Sequence, residues 1–271
     1  MASTTQISVP VRITSPLALW HLLSLDAPTV AALWTWFIAR ANHVQLSYAL
    51  PAAMFLAVWL IYAADRLLDT RHLVTGRSRR SEDELEARHL FHFMHRRAFL
   101  ASMPFAAIGI LALLPNLLPV AVHFYLLGGV LLLGWFLVIH AAGLRVPKEI
   151  VVGLYFAAAT FAPTLVRAPV RPRLLMVEAV LFAALCTLNC LFIHAWERST
   201  GRMRPLLTFA ALLGLASCAF LRGSAPAIAI GISAALLFLL HCRRDRLSRT
   251  HLRCAADLAL LTPVLLLPFL R

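Results

Sequence analysis

Nine apolar stretches separated by short polar segments govern what this chain can fold into. They run over residues 17–39, 46–64, 98–114, 119–140, 150–166, 174–196, 205–221, 225–241 and 254–270, the first interrupted near Asp26 and Pro28. About 20 apolar residues in a helix cross the hydrocarbon of a bilayer, and somewhat fewer suffice where the ends snorkel. Backbone groups in lipid must bond within their own segment, so each stretch is predicted as a helix. The expected fold is all-α, a polytopic membrane helical bundle of about nine transmembrane helices, although 205–241 can be divided differently. Composition agrees: 61% of the residues are hydrophobic and the mean hydropathy is +0.81, well above a soluble domain. No polar linker divides the chain, so residues 1–271 read as one transmembrane domain.

Charge supplies the expected orientation. With alternating crossings, 19 Lys and Arg fall on one face of the membrane and six on the other. The positive-inside rule then places the N-terminus in the cytoplasm, as expected of an integral protein of a bacterial inner (cell) membrane. Residues 1–10 lack a basic segment followed by an apolar core, so no cleavable signal peptide is expected. The net charge of +13 follows from this topology and from contact with anionic lipid, and gives no case for nucleic acid. The five cysteines show no metal spacing and read as reduced core residues.

One connection is long. Residues 70–97 carry Arg77, Arg79, Arg80, Arg88, Arg96 and Arg97 among four acids, and Ser81-Glu82-Asp83-Glu84 makes a fair helix start. A short cytoplasmic cap helix over the mouth of the bundle is predicted here.

Only 12 residues are acidic, and their positions carry the chemistry. Asp65 and Asp69 close the second apolar run and lie four residues apart, so they share a helix face. Magnesium takes one or two carboxylates together with substrate phosphate oxygens. The alternative is a structural latch, with these acids paired to Arg66 or Arg71. Arg71 and Arg77 follow at once and suit bidentate phosphate contacts, or plain anchoring at the membrane surface. A second polar cluster, Asn189, His194 and Glu197, ends the sixth run and reads either as a second metal or diphosphate shell or as interhelical hydrogen bonding. Lys148 and Tyr155 open the fifth run, where either can meet a phosphate or an aromatic substrate. His89, His92 and His95 read as solvated, Glu178 and Asp257 as interface residues, and Gly128, Gly129 and Gly134 as close helix packing.

Together these residues resemble the UbiA superfamily of intramembrane prenyltransferases. The family's first motif, Asn-Asp-x-x-Asp-x-x-x-Asp followed by Arg-Pro-Leu-x-x-Gly-Arg, aligns with Ile61 to Gly76-Arg77. Asp65, Asp69, Arg71 and the Leu73-Val74-Thr75-Gly76-Arg77 ending match, while Ile61-Tyr62 replaces the leading pair and His72 the proline. Lys148 with Gly153-Leu154-Tyr155 resembles the loop into helix five, and Asn189 and Glu197 stand where the second acidic motif belongs. The resemblance implies a central cavity open to lipid and a Mg2+-bound polyprenyl diphosphate whose prenyl group is transferred to an aromatic or lipid acceptor. It also implies that Asp65, Asp69 and Glu197 hold metal, that Arg71 and Lys148 steady the diphosphate, and that Asn189 helps form a weakened second site. A non-catalytic lipid-binding or assembly protein of the same fold, or a cyclase-like variant, would fit the degenerate second motif.

Overall fold

The structure is a computed structural model and describes residues 15–69, 87–117, 119–142, 148–167, 171–198, 203–219 and 224–270. Within these residues every regular element is helical. α1 spans Pro16–Leu22, α2 Asp26–Ala41, α3 Ala49–Asp69, α4 Ala87–Met94, α5 Arg96–Leu113 and α6 Pro119–Ala142. α7 spans Lys148–Val166, α8 Pro172–Arg198, α9 Met203–Ala219, α10 Ala225–Cys242, α11 Arg249–Leu258 and α12 Pro263–Leu266. Each of the nine apolar stretches therefore forms helix. Six helical segments are long and apolar enough to cross a membrane, or seven if the bent pair α1–α2 is one crossing. These elements make the chain a helical membrane protein.

Helix ends follow local sequence. Ser15 caps α1 by accepting from the Ala18 amide at 3.2 Å, with Pro16 at the first helical position. Ser224 caps α10 in the same way through Ala227, at 3.0 Å. The last apolar stretch is not one continuous helix. Pro263 has no amide to donate and crowds the carbonyl four residues back, so the chain passes from α11 through a tight turn at 259–261 into α12. The irregularity is used: Trp34 donates its indole N–H to the Leu260 carbonyl at 2.7 Å, and Thr262 donates to the Ala229 carbonyl at 3.0 Å.

α8 is the central element, packed against α7, α9, α10 and α11. α2 lies beside α3, α7 and α11 and buries Val30, Trp34, Phe37 and Ile38, a stripe at helical spacing. Trp34 and Phe182 meet at 4.4 Å between ring centres, and Phe161 joins Phe182 at 5.7 Å. Lipid tails are as apolar as these side chains, so the gain here is close-packed dispersion more than removal from water. Gly153 shows how tight the α7–α8 seam is. A Cβ there would stand 2.8 Å from the Thr187 amide nitrogen and 2.9 Å from the Ala183 carbonyl. The three glycines of α6 divide: a Cβ on Gly128 would meet the Tyr155 hydroxyl at 2.7 Å, whereas among the described residues nothing comes within 4 Å of one on Gly129 or Gly134.

Within the long 70–97 connection the described residues form one short helix, α4, which packs on α1, α3 and α5. Its buried face carries Phe91 and His92, and the His92 ring stacks on Phe99 at 4.2 Å. His92 is therefore a buried packing residue, in contrast to the solvated position expected for it. The predicted start of this helix at Ser81 lies outside the described residues.

The break between α1 and α2 turns the chain by 89°. Ser24 sits in it at φ 59°, a left-handed conformation that a residue with a Cβ enters only when its surroundings enforce it. The enforcing contacts are specific. Arg66 Nη1 donates to the His21 carbonyl at 3.0 Å and to Ser24 Oγ at 2.9 Å, and Trp59 donates to the Leu23 carbonyl at 3.1 Å. Ser24 Oγ also pairs with His92 Nε2 of α4, at 3.0 Å. Backbone groups that the break strips of helical partners are thus met by side chains of α3.

Candidate functional site

The α1–α2 break places His21 and Asp26 inside the bundle, facing the last turns of α3 and the second half of α11. A cavity of about 260 Å³ opens there, lined by residues that include Tyr62 and Arg66 of α3, Glu149 of α7, Asn189 and His194 of α8, and Arg253 and Asp257 of α11. α3, α7 and α8 contribute the end that adjoins the basic connections of the sequence.

At its centre are two carboxylates and one imidazole. His21 Nδ1 lies 2.5 Å from Asp26 Oδ2 and 4.0 Å from Asp257 Oδ2. The other oxygen of each acid is held separately: Asp26 Oδ1 accepts from the Ala27 amide at 3.0 Å, and Asp257 Oδ1 accepts from Asn189 Nδ2 at 3.1 Å. Arg66, only 5% exposed, approaches Asp26 Oδ2 with Nη2 at 3.6 Å. Its guanidinium also lies over the Tyr62 ring, 5.9 Å from the ring centre. An unpaired carboxylate inside a membrane bundle costs several kcal/mol or more, so the neighbouring arginines are required if Asp26 and Asp257 are ionised.

One atom of the lining is unsatisfied among the described residues. Asn189 is 7% exposed, and its Oδ1 is buried without a hydrogen-bond partner while its Nδ2 serves Asp257. A buried carbonyl oxygen left alone costs about 1–3 kcal/mol. Nearer the protein surface, His194 Nδ1 pairs with Glu149 at 3.1 Å and ties the first turn of α7 to the last turns of α8.

The residues expected from the sequence distribute unevenly over this geometry. Asn189 and His194 line the cavity. Asp65 is exposed on α3 and is not part of the lining, because Tyr62 and Arg66 occupy the inward face. Tyr155 lies against Gly128 of α6, also away from the cavity. Asp69, Lys148 and Glu197 belong to α3, α7 and α8, and their side chains fall outside the described residues, as do Arg71 and Arg77 entirely. Each of those three helical positions nevertheless stands within three residues of a lining residue: Arg66, Glu149 and His194 respectively.

His21, Asp26, Arg66, Arg253 and Asp257 are central here; from the sequence Asp26 marks only a break, Arg66 only a latch partner for Asp65 or Asp69 and Asp257 only an interface residue, and His21 and Arg253 carry no weight. A signal did exist for two of them, since Asp26 and Asp257 are carboxylates within apolar stretches, where ionisable groups are functional by default.

Metal binding is within the reach of this donor set. One ligand atom each from His21, Asp26 and Asp257 fall within 4.8 Å of one another, the one such grouping among the described residues. The two carboxylates with the orphaned Asn189 Oδ1 are the oxygen donors that Mg2+ takes. Comparison with known protein families, with curated proteins and with solved structures finds no match to this chain.

Proposed function

We propose that this chain is an intramembrane prenyltransferase of the UbiA type, moving a polyprenyl group from its diphosphate to an aromatic or lipid acceptor. The observation that carries the reading is the cavity itself, where Arg66 and Arg253 stand beside Asp26, Asp257 and Asn189 at one end of an apolar bundle. A diphosphate needs both cations and metal-binding oxygens, and its prenyl tail needs an apolar surround; the lining and the helices supply all three.

Asp26, Asp257 and Asn189 Oδ1 would hold Mg2+, which supplies positive charge to the departing diphosphate. Arg66 and Arg253 bind phosphate oxygens, with Arg71, Arg77 and Lys148 adding charge from the connections at the same end. Arg66 also fixes the α1–α2 break, so it orients Asp26 as well as neutralising it. His21 holds Asp26 Oδ2 in position, and Asn189 does the same for Asp257 Oδ1. Asp69 and Glu197 belong to the last turns of α3 and α8 and add acid at this end, whereas Asp65 lies outside the cavity. The bundle keeps water from the allylic cation. Nine crossings, with a cytoplasmic N-terminus in a bacterial inner membrane, put this mouth on the cytoplasmic side.

The test is binding and product together. Lipid extracts of an expressing strain are screened by mass spectrometry for prenylated acceptors, and binding of a polyprenyl diphosphate is titrated with and without Mg2+. Asp257→Asn and Asp69→Asn should each weaken Mg2+-dependent binding at least about tenfold. Unchanged affinity in both variants, with no prenylated product from the parent, refutes the reading.

A further inference from the structure

We infer that His21, Asp26 and Asp257 form a site for a divalent ion that accepts nitrogen as well as oxygen, namely Mn2+, Fe2+, Co2+ or Zn2+, in preference to Mg2+. The inference rests on the cavity assignment above and is independent of prenyl transfer.

Three observations support it. The first is donor chemistry. Mg2+ is met by oxygens and water, whereas imidazole beside carboxylates suits the first-row transition ions. His21 is not peripheral here: its Nδ1 lies between the two acids, at 2.5 Å and 4.0 Å from their facing oxygens. Neighbouring ligands on such an ion, at bonds of about 2.1 Å, stand about 3 Å apart. The two His21 separations bracket that figure and all three ligand atoms lie within 4.8 Å of one another, so closing around an ion takes side-chain shifts of about 1–2 Å.

The second is orientation. Each carboxylate has one oxygen tied by a hydrogen bond, Asp26 Oδ1 to the Ala27 amide and Asp257 Oδ1 to Asn189. The remaining oxygen of each is the one that faces His21. Outer hydrogen bonds that aim ligand atoms at a common point are what a metal site requires and what a plain ion pair does not. The third is Asn189 Oδ1, buried on the same cavity and without a partner. An amide oxygen of this kind would give an ion a fourth donor.

The sequence positions explain why such a site is rigid enough to select an ion. His21 and Asp26 flank the enforced break at Ser24, so their spacing is set by the backbone turn and by Arg66 rather than by one helix register.

The test uses the full chain in lipid nanodiscs and the metals alone, with no diphosphate. Mn2+ is titrated by electron paramagnetic resonance, and nitrogen coupling to bound Mn2+ is read by pulsed methods. The parent should bind one Mn2+ per chain with a 14N coupling, at least about tenfold more tightly than Mg2+. His21→Gln should remove the coupling and weaken Mn2+ at least about tenfold more than it weakens Mg2+. Asp257→Asn, which keeps an acceptor for Asn189, should weaken both ions. Thermal melting accompanies each variant. If His21→Gln does not fold, 15N-histidine labelling of the parent must convert the coupling, and Asp257→Asn must still lose the ion. No stoichiometric Mn2+ site in the parent, a 14N coupling that survives in His21→Gln, or an equal loss of Mn2+ and Mg2+ overturns the inference. Mn2+ binding without any prenylated product refutes the transferase reading alone; product without a Mn2+ site refutes this inference alone.

Discussion

Arg66→Met measures how much of the α1–α2 break depends on one side chain. Arg66 is 5% exposed and makes two hydrogen bonds through Nη1, to the His21 carbonyl and Ser24 Oγ, while Nη2 faces Asp26. Methionine preserves most of the length and apolar stem, so the loss is polar. Hydrogen bonds between transmembrane helices average about 0.6 kcal/mol each, which makes the two Nη1 bonds together worth about 1 kcal/mol. The larger effect is electrostatic: Asp26, only 2% exposed, loses its nearest countercharge, and stranding one partner of a buried pair costs about 3–5 kcal/mol. Arg253 on the same cavity offsets some of this. The net expectation is a destabilisation of about 3 kcal/mol in reversible SDS-driven unfolding. Adding Asp26→Asn removes the stranded charge and keeps an acceptor for the Ala27 amide. The double variant should therefore be at least about 2 kcal/mol more stable than the sum of the single effects predicts. Effects that add to within about 0.5 kcal/mol would refute the electrostatic account and leave Arg66 as a simple hydrogen-bond donor.

Three further outcomes are expected. Gly153→Ala should destabilise by about 1–3 kcal/mol, because a Cβ meets backbone atoms of α8, whereas Gly129→Ala should be neutral; equal melting shifts in the two would disprove the tight α7–α8 seam. Trp34→Phe keeps the aromatic contact with Phe182 and loses the bond to the Leu260 carbonyl, at a cost of about 1 kcal/mol, while Trp34→Ala should cost about 3–5 kcal/mol, both read by SDS unfolding. In a background with the exposed Cys218 and Cys242 replaced by serine, Ser81→Cys should label from the cytoplasm and Asn116→Cys from outside. Labelling of both from one side would end the alternating path inferred from the 19-to-6 charge division.

The helices themselves were legible because lipid leaves the backbone no alternative, and apolar length alone marks them. Even the interruption at Asp26 and Pro28 was visible, although not its 89° angle, which depends on Arg66 and Trp59 arriving from α3. The site was less legible, for a reason specific to membrane helices. On a soluble helix the apolar stripe reveals the inward face, but α3 is apolar nearly all round, so spacing could pair Asp65 with Asp69 without saying which face looks in. The structure puts Tyr62 and Arg66 there. Asp26 and Asp257 are separated by most of the chain, and nothing local to either announces the other. Asn189 and His194 were found because they lie close together on one helix.

Arg66 has a consequence for how sequences like this one can diverge. Its side chain simultaneously meets the His21 carbonyl, Ser24 Oγ and the Asp26 carboxylate, from three positions around a single bend. Position 24 tolerates a left-handed backbone, position 26 tolerates a buried charge, and position 66 tolerates a buried guanidinium only while the other two are unchanged. Such positions form one unit of inheritance. Among related chains they should be retained as a set or exchanged as a set, with glycine at position 24 and a neutral residue at 26 appearing together where position 66 is no longer arginine.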